Sequence, residues 1–175
     1  MYSGPTISLQ QLLTSREERA EKQRAWSREL AAPLVSFTIN MVGPIKRNQI
    51  AKTAFDHGIH AIKDACVLHD IEIKRAQATD NDAGYQMLFC MANIEALYLK
   101  KIMLAIEETH PLGRLFDIDV IDSKGVLLSR DDFELVRRRC LICDEQAKVC
   151  ARTQAHSLQQ LIEKMSEMVN ELDSK

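Results

Sequence analysis

Asp117 and Asp119 stand two residues apart in Phe116-Asp117-Ile118-Asp119-Val120, a stretch that reads as a β-strand. Residues i and i+2 of a strand point to the same face, so the two carboxylates project together while Phe116, Ile118 and Val120 face the other way, toward a core. Paired carboxylates repel, and a divalent cation with oxygen ligands relieves that repulsion. Arg114, just upstream, carries a planar fork that binds phosphate oxygens in pairs. The combination points to metal-assisted chemistry on a phosphate ester. The competing reading is a solvent-facing strand on which an Asp-x-Asp pair does nothing chemical.

A second constellation is Cys140-x2-Cys143-x6-Cys150-x5-His156. Its residue types are those of a Cys3His zinc site. At about 100° per residue, one unbroken helix would put the three cysteines on a shared face and His156 roughly 160° from Cys140. A tetrahedral site therefore requires the helix to break or to start late. The alternative is that these cysteines are small buried hydrophobes. Arg137, Arg138 and Arg139 directly before the cluster form a basic run that suits phosphate or solvent equally.

These residues must be positioned by a chain of 175 residues, 46% hydrophobic and 27% charged, with a formal net charge of −2. That is the profile of an ordinary globular domain, read as a single domain over 1–175. The charge balance and an aromatic content of 5% argue against nucleic acid as a partner. No apolar run suits a membrane span or an export signal, and the odd count of five cysteines argues against a disulfide framework. A cytoplasmic location is the expectation.

Residues 8 to 30 read as a charged helix opened by a Ser8/Gln11 capping box, with Leu9, Leu12 and Leu13 starting an apolar stripe. Its charged face, from Ser15 to Glu29, is either solvated or grips a partner or a polyphosphate. Residues 34 to 41 have strand character, and Gly43-Pro44-Ile45-Lys46-Arg47 forms a cationic turn. Asn48 caps a second helix to about His69, with Ile50, Ala54, His57, Ala61, Ala65 and Leu68 on its buried side. Residues 71 to 91 suggest a hairpin, 93 to 108 a third helix, and 115 to 122 the acidic strand. Residues 126 to 129 are expected as that strand's hairpin partner, ending at Arg130. The Cys-rich C-terminal segment, about 138 to 172, is expected to be mostly helical from about Asp144. The economical fold is α+β, a small mixed or antiparallel sheet flanked by helices.

The chain resembles one family through an ordered set of motifs. These are Leu12-Leu13-x2-Arg16-Glu17-Glu18-Arg19, Leu34-Val35-Ser36-Phe37-Thr38, Gly43-Pro44-Ile45-Lys46 and His57-Gly58-Ile59. The set continues through His110-Pro111-Leu112-Gly113-Arg114-Leu115-Phe116-Asp117-Ile118-Asp119-Val120, Leu128-Ser129-Arg130, and Arg138-Arg139-Cys140-Leu141-Ile142-Cys143-x6-Cys150-Ala151-Arg152-x3-His156. The family is that of the apo-citrate lyase phosphoribosyl-dephospho-CoA transferases, or holo-citrate lyase synthases. The resemblance implies transfer of the 2'-(5''-phosphoribosyl)-3'-dephospho-CoA group from 2'-(5''-triphosphoribosyl)-3'-dephospho-CoA to a serine of the citrate lyase acyl carrier subunit, releasing pyrophosphate.

On that basis Asp117 and Asp119 are the expected Mg²⁺ ligands, with Arg114 beside them. Arg130 and Arg114 are candidates for the triphosphate, with Lys46, Gly113 and His110 as further substrate-site residues. Glu72 and Asp131 are the candidates for a third acid. A nucleotidyltransferase-like fold would fit, although the turn before the strand reads Gly113-Arg114 where such enzymes often carry Gly-Ser. Two alternatives accompany this reading: a noncatalytic zinc-bearing assembly factor for citrate lyase, and the same transfer onto another carrier such as that of malonate decarboxylase.

Overall fold

A computed structural model describes residues 1–130, 133 and 138–173. Asp131 and Arg137, named above, lie outside the described residues. The elements run α1 (Leu9–Leu30), β1 (Leu34–Ile39), α2 (Gln49–Leu68), β2 (Glu72–Asn81), β3 (Gly84–Ala92), α3 (Ala96–Thr109), β4 (Phe116–Ile121), α4 (Ala147–Thr153) and α5 (Leu158–Asp173). The strands form an antiparallel sheet in the order β2-β3-β1-β4. The class is α+β, as the sequence indicates.

One sheet face is apolar and carries the core. Phe37 of β1 stacks on Phe55 of α2 with ring centroids 5.3 Å apart and meets Phe116 of β4 edge-on at 5.4 Å. Helix α2 approaches through Gly58: a Cβ there would lie 2.2 Å from the Phe37 ring, so only glycine permits this spacing. Ile118, Val120, Phe89 and Met91 extend the same layer, and α5 adds Met165 and Val169, both fully buried.

The opposite face is divided. At one end Leu34, Leu88, Cys90 and Ile121 pack under Trp26 of α1, and the Arg75 guanidinium lies 4.4 Å above the indole. At the other end the face is polar, with Ser36, Thr38, Asp117, Asp119 and Gln86. Helix α1 spans both ends. Its capping box forms as expected, Ser8 and Gln11 each satisfying the other's backbone N–H. Its attachment over the polar end is by side-chain hydrogen bonds: Gln23 donates to Ser36 at 2.9 Å and Gln86 to Ser15 at 3.0 Å.

Four expectations are corrected. Leu68 is 79% exposed, because Ile62 and Cys66 carry the buried stripe of α2 and Leu68 is about 200° around from Cys66. Helix α3 begins at Ala96 rather than near 93, since Asn93 adopts a left-handed φ of 60°. The partner strand expected over 126–129 reduces to one bridge, Ile121 with Leu127, flanked by the Leu128 N–H donating to the Val120 carbonyl and the Asp122 N–H donating to the Val126 carbonyl, both at 2.9 Å. Val126 and Leu127 are more than half exposed, so no second layer rewards fuller pairing. The helix expected from about Asp144 splits at Gln154, which is left-handed at φ 50° and ends α4.

Candidate active site

Strand β4 delivers the acidic pair as its alternation requires: Phe116, Ile118 and Val120 are buried, and Asp117 and Asp119 face the polar half of the sheet. In register, Asp119 opposes Ser36 and Asp117 opposes Thr38, whose hydroxyl donates to Asp117 at 3.4 Å. Burial, and behind it the Asp117 charge, pushes the Asp119 carboxyl above its usual range; Lys100 and Arg19 pull the other way. Two adjacent acids at a cavity mouth, one of them held uncomfortably as an anion, fit a hard divalent cation.

The pair lines a cleft of about 570 Å³ together with Lys100, Glu107, Arg130 and Arg138. Lys100 and Glu107 come from α3, two turns apart on the face toward β4. Both contact the strand residue between the two acids: Lys100 Nζ donates to the Ile118 carbonyl at 3.0 Å, and Glu107 Oε1 accepts from the Ile118 N–H at 3.0 Å. Burial holds the Lys100 ammonium below its usual pKa. Glu107 is also the partner of two arginines. Arg130 Nη2 donates to its Oε2 at 2.5 Å, and Arg138 pairs with its Oε1.

Sequence reasoning missed Lys100 and Glu107. The available signal was a pair of charges interrupting the apolar stripe Leu99, Met103, Leu104 and Ile106. Glu72 opens β2, across two intervening strands from β4, which separates it from the acidic pair. Glu107 is the carboxylate that stands near Asp119, and its oxygens are committed to the arginines and the backbone.

The other predicted residues divide. Lys46 lies on the far side of Asp117, with its Nζ donating to the Met41 carbonyl. Arg114 points away from the acids and donates to the Arg139 carbonyl; it lines a neighbouring cavity of about 650 Å³ with Cys140, Cys150 and His156. That cavity shares Asn40, Arg138, Ala147 and Ala151 with the acidic cleft, so the two form one groove. Gly113 packs where a Cβ would fall 2.4 Å from the Glu107 carbonyl, which makes it a spacer under α3. His110 is on the core side of the sheet, its ring 4.9 Å from that of Phe116 and its Nδ1 accepting from the Leu112 N–H. Burial and then His57 lower its pKa.

The cysteine cluster does assemble. Ligand atoms of Cys140, Cys143, Cys150 and His156 all lie within 4.8 Å of one another. Cys143 Sγ is 3.5 Å from Cys150 Sγ and 3.2 Å from His156 Nε2. Thiolates bound tetrahedrally at ~2.3 Å are ~3.8 Å apart, so modest adjustment would close the set on a metal. The required helix break is present: Cys140 and Cys143 precede α4, Cys150 is within it, and His156 follows the left-handed Gln154. A tight loop holds the first two, with the Cys140 N–H on the Glu145 carbonyl at 2.7 Å and the Ala147 N–H on that of Arg138 at 2.9 Å. Burial would raise the Cys140 thiol, but the Ile142 and Cys143 N–H groups overcome it and the pKa falls. Cys150, buried and hydrogen-bonded to both other thiols, is pushed up to about 12. These four residues can hold a metal ion.

A groove that holds paired acids, cations and room for a large anionic ligand agrees with what similarity to known proteins reveals. The family model for apo-citrate lyase phosphoribosyl-dephospho-CoA transferase matches residues 7–172. An Escherichia coli O6:K15:H31 (strain 536) protein named apo-citrate lyase phosphoribosyl-dephospho-CoA transferase is 38% identical over 174 residues, covering 99% of this chain and 94% of the relative. A Vibrio cholerae O1 (strain M66-2) protein named as a probable member is 40% identical over 166 residues, covering 95% and 93%. The chain belongs to the apo-citrate lyase phosphoribosyl-dephospho-CoA transferase family.

Proposed function

We propose that this protein transfers the 2'-(5''-phosphoribosyl)-3'-dephospho-CoA group from its triphosphate precursor to a serine of the citrate lyase acyl carrier subunit, releasing pyrophosphate, by nucleotidyltransferase-type chemistry. Family membership supports the reaction class. The observation that carries the mechanism is the acidic pair facing an open groove with the buried Lys100 and the partly exposed Arg130 and Arg138 beside it.

In this reading Asp117 and Asp119 hold Mg²⁺, which when bound supplies charge neutralisation at the attacked phosphate and its leaving group. Thr38 orients Asp117 through its hydroxyl. The Lys100 ammonium, fixed on the Ile118 carbonyl, lends positive potential beneath Asp119 and favours its ionised form. Arg130 and Arg138, braced on Glu107, present their remaining N–H groups to substrate phosphate from one wall of the cleft. The adjoining cavity has the volume to accept a nucleotide-sized ligand.

The Cys3His cluster binds zinc in a structural role, holding the segment from Arg138 to His156 as the outer wall of that groove. All five thiols are free, which suits a reducing, cytoplasmic setting. The test is direct. The protein, apo-carrier, 2'-(5''-triphosphoribosyl)-3'-dephospho-CoA and Mg²⁺ are incubated, and the carrier's mass is measured. Gain of the prosthetic-group mass on the citrate lyase carrier, in preference to the malonate decarboxylase carrier, supports the reading. An unmodified carrier overturns it.

A further inference from the structure

We propose that a small cationic nook on the other side of Asp117, lined by Arg16 and Arg19 of α1 and by Lys46, is the subsite for the departing pyrophosphate. The proposal rests on the transfer reaction above and assigns the direction in which its substrate lies.

Asp117 and Asn40 line both the large cleft and this nook, so the acidic pair stands between two unequal openings. The nook measures about 100 Å³. That is room for about three waters at ~30 Å³ each, the scale of an inorganic diphosphate and well short of a nucleotide. Its charge is unbalanced: three cations face one carboxylate, Asp117. Among the described residues neither Arg16 nor Arg19 makes an ion pair, and Lys46 donates only to a backbone carbonyl. Burial, and then repulsion from Arg16, hold the Lys46 ammonium below its usual pKa, as expected where a counter-anion is wanting. Asp80 of the adjacent hairpin does not supply one, because it is paired with Arg47 at 2.7 Å.

The cations of the large groove differ in this respect. Lys100, Arg130, Arg138 and Lys148 face three carboxylates in the cleft lining, Glu107, Asp117 and Asp119, and Arg130 and Arg138 both pair with Glu107. The most concentrated negative charge of the substrate, its β- and γ-phosphates, therefore belongs in the nook, and the phosphoribosyl-dephospho-CoA portion in the groove. The attacked α-phosphorus then lies over Asp117 and Asp119. The serine oxygen bonds to that phosphorus, the α–β anhydride P–O bond breaks, its electron pair leaves on pyrophosphate, and the hydroxyl proton passes to solvent.

The test uses inorganic pyrophosphate with Mg²⁺, measured by calorimetric titration, and dephospho-CoA as a ligand lacking the triphosphate. In the doubly substituted Arg16→Gln, Lys46→Gln protein, pyrophosphate affinity should fall about ten- to hundredfold relative to the parent. Dephospho-CoA affinity should be unchanged, and Arg16→Lys should restore part of the loss. Arg19→Gln, three residues further along α1, is measured independently in case the double variant fails to fold. Pyrophosphate binding at parent strength in folded variants overturns the subsite, as does an equal loss for dephospho-CoA. A parent that modifies the carrier while its variants bind pyrophosphate normally overturns the subsite alone. A parent that binds pyrophosphate through these cations yet never modifies a carrier overturns the transfer reading alone.

Discussion

Arg130 donates to Glu107 at 2.5 Å, and Glu107, with a side chain only 3% exposed, also holds Arg138 and the Ile118 N–H. A cation that the sequence offers to phosphate is thus a structural strut as well. Glu107→Gln would leave two arginines beside a buried amide. The expected loss is about 2–4 kcal/mol, below the ~3–5 of fully buried pairs because the arginines are partly exposed. Arg130→Ala should cost less, about 1–2 kcal/mol, since Arg138 still satisfies the carboxylate. Chemical denaturation of both variants checks the order; a Glu107→Gln protein as stable as the parent would remove the strut.

Asp119→Asn should lower transfer about a hundredfold or more. Its melting temperature in EDTA at neutral pH should equal or exceed the parent's. Asp119 has a raised pKa in the fold, so the native state binds a proton the unfolded chain has released. Parent stability therefore falls as pH rises from the ordinary carboxylate range through that raised pKa. The variant lacks this fall, so its advantage should disappear on acidification. Near-parent turnover in Asp119→Asn would sink the metal-site assignment.

Metal analysis of protein purified without added zinc should find about one zinc per chain. Cys150→Ser should abolish it and lower the melting temperature. Absence of zinc, with all five thiols titratable after unfolding, would leave the cysteines as buried hydrophobes.

Gly113→Ala should destabilise by about 1–3 kcal/mol, the range for overpacking, because its Cβ would meet backbone rather than a movable side chain. Pyrophosphate affinity per folded molecule should be unaffected, since Gly113 lies against α3 and away from α1. A neutral effect on denaturation midpoint would show that α3 shifts to accommodate it.

Periodicity made the scaffold legible. The alternation of Phe116-Asp117-Ile118-Asp119-Val120 already divided core from site, and the Ser8 and Asn48 caps located two helices. The Cys3His geometry was legible as a condition, a broken helix, which Gln154 meets. What stayed hidden depended on tertiary placement. Lys100 and Glu107 lie within an apolar helical stripe, and only the packing of α3 on β4 turns them toward the acids. Arg114 and Arg130 looked equivalent as phosphate ligands; which backbone or carboxylate each would meet depends on elements far away in sequence. Val126 to Ser129 had strand composition, but pairing needs a covering layer that the fold does not provide there.

Thr38 and Asp117 touch although they stand 79 positions apart in the chain, whereas β2 and β3 pair across a turn of two residues. Closing so long a loop is entropically slow relative to the neighbouring hairpin. By contact-order reasoning, docking of β4 onto β1 is the late event in refolding, and it completes the sheet and juxtaposes the reactive groups in the same step. Recovery of transfer activity should then coincide with the slowest structural phase and never precede it. Substitutions that slow β1–β4 docking would delay the appearance of function without altering the final rate constant.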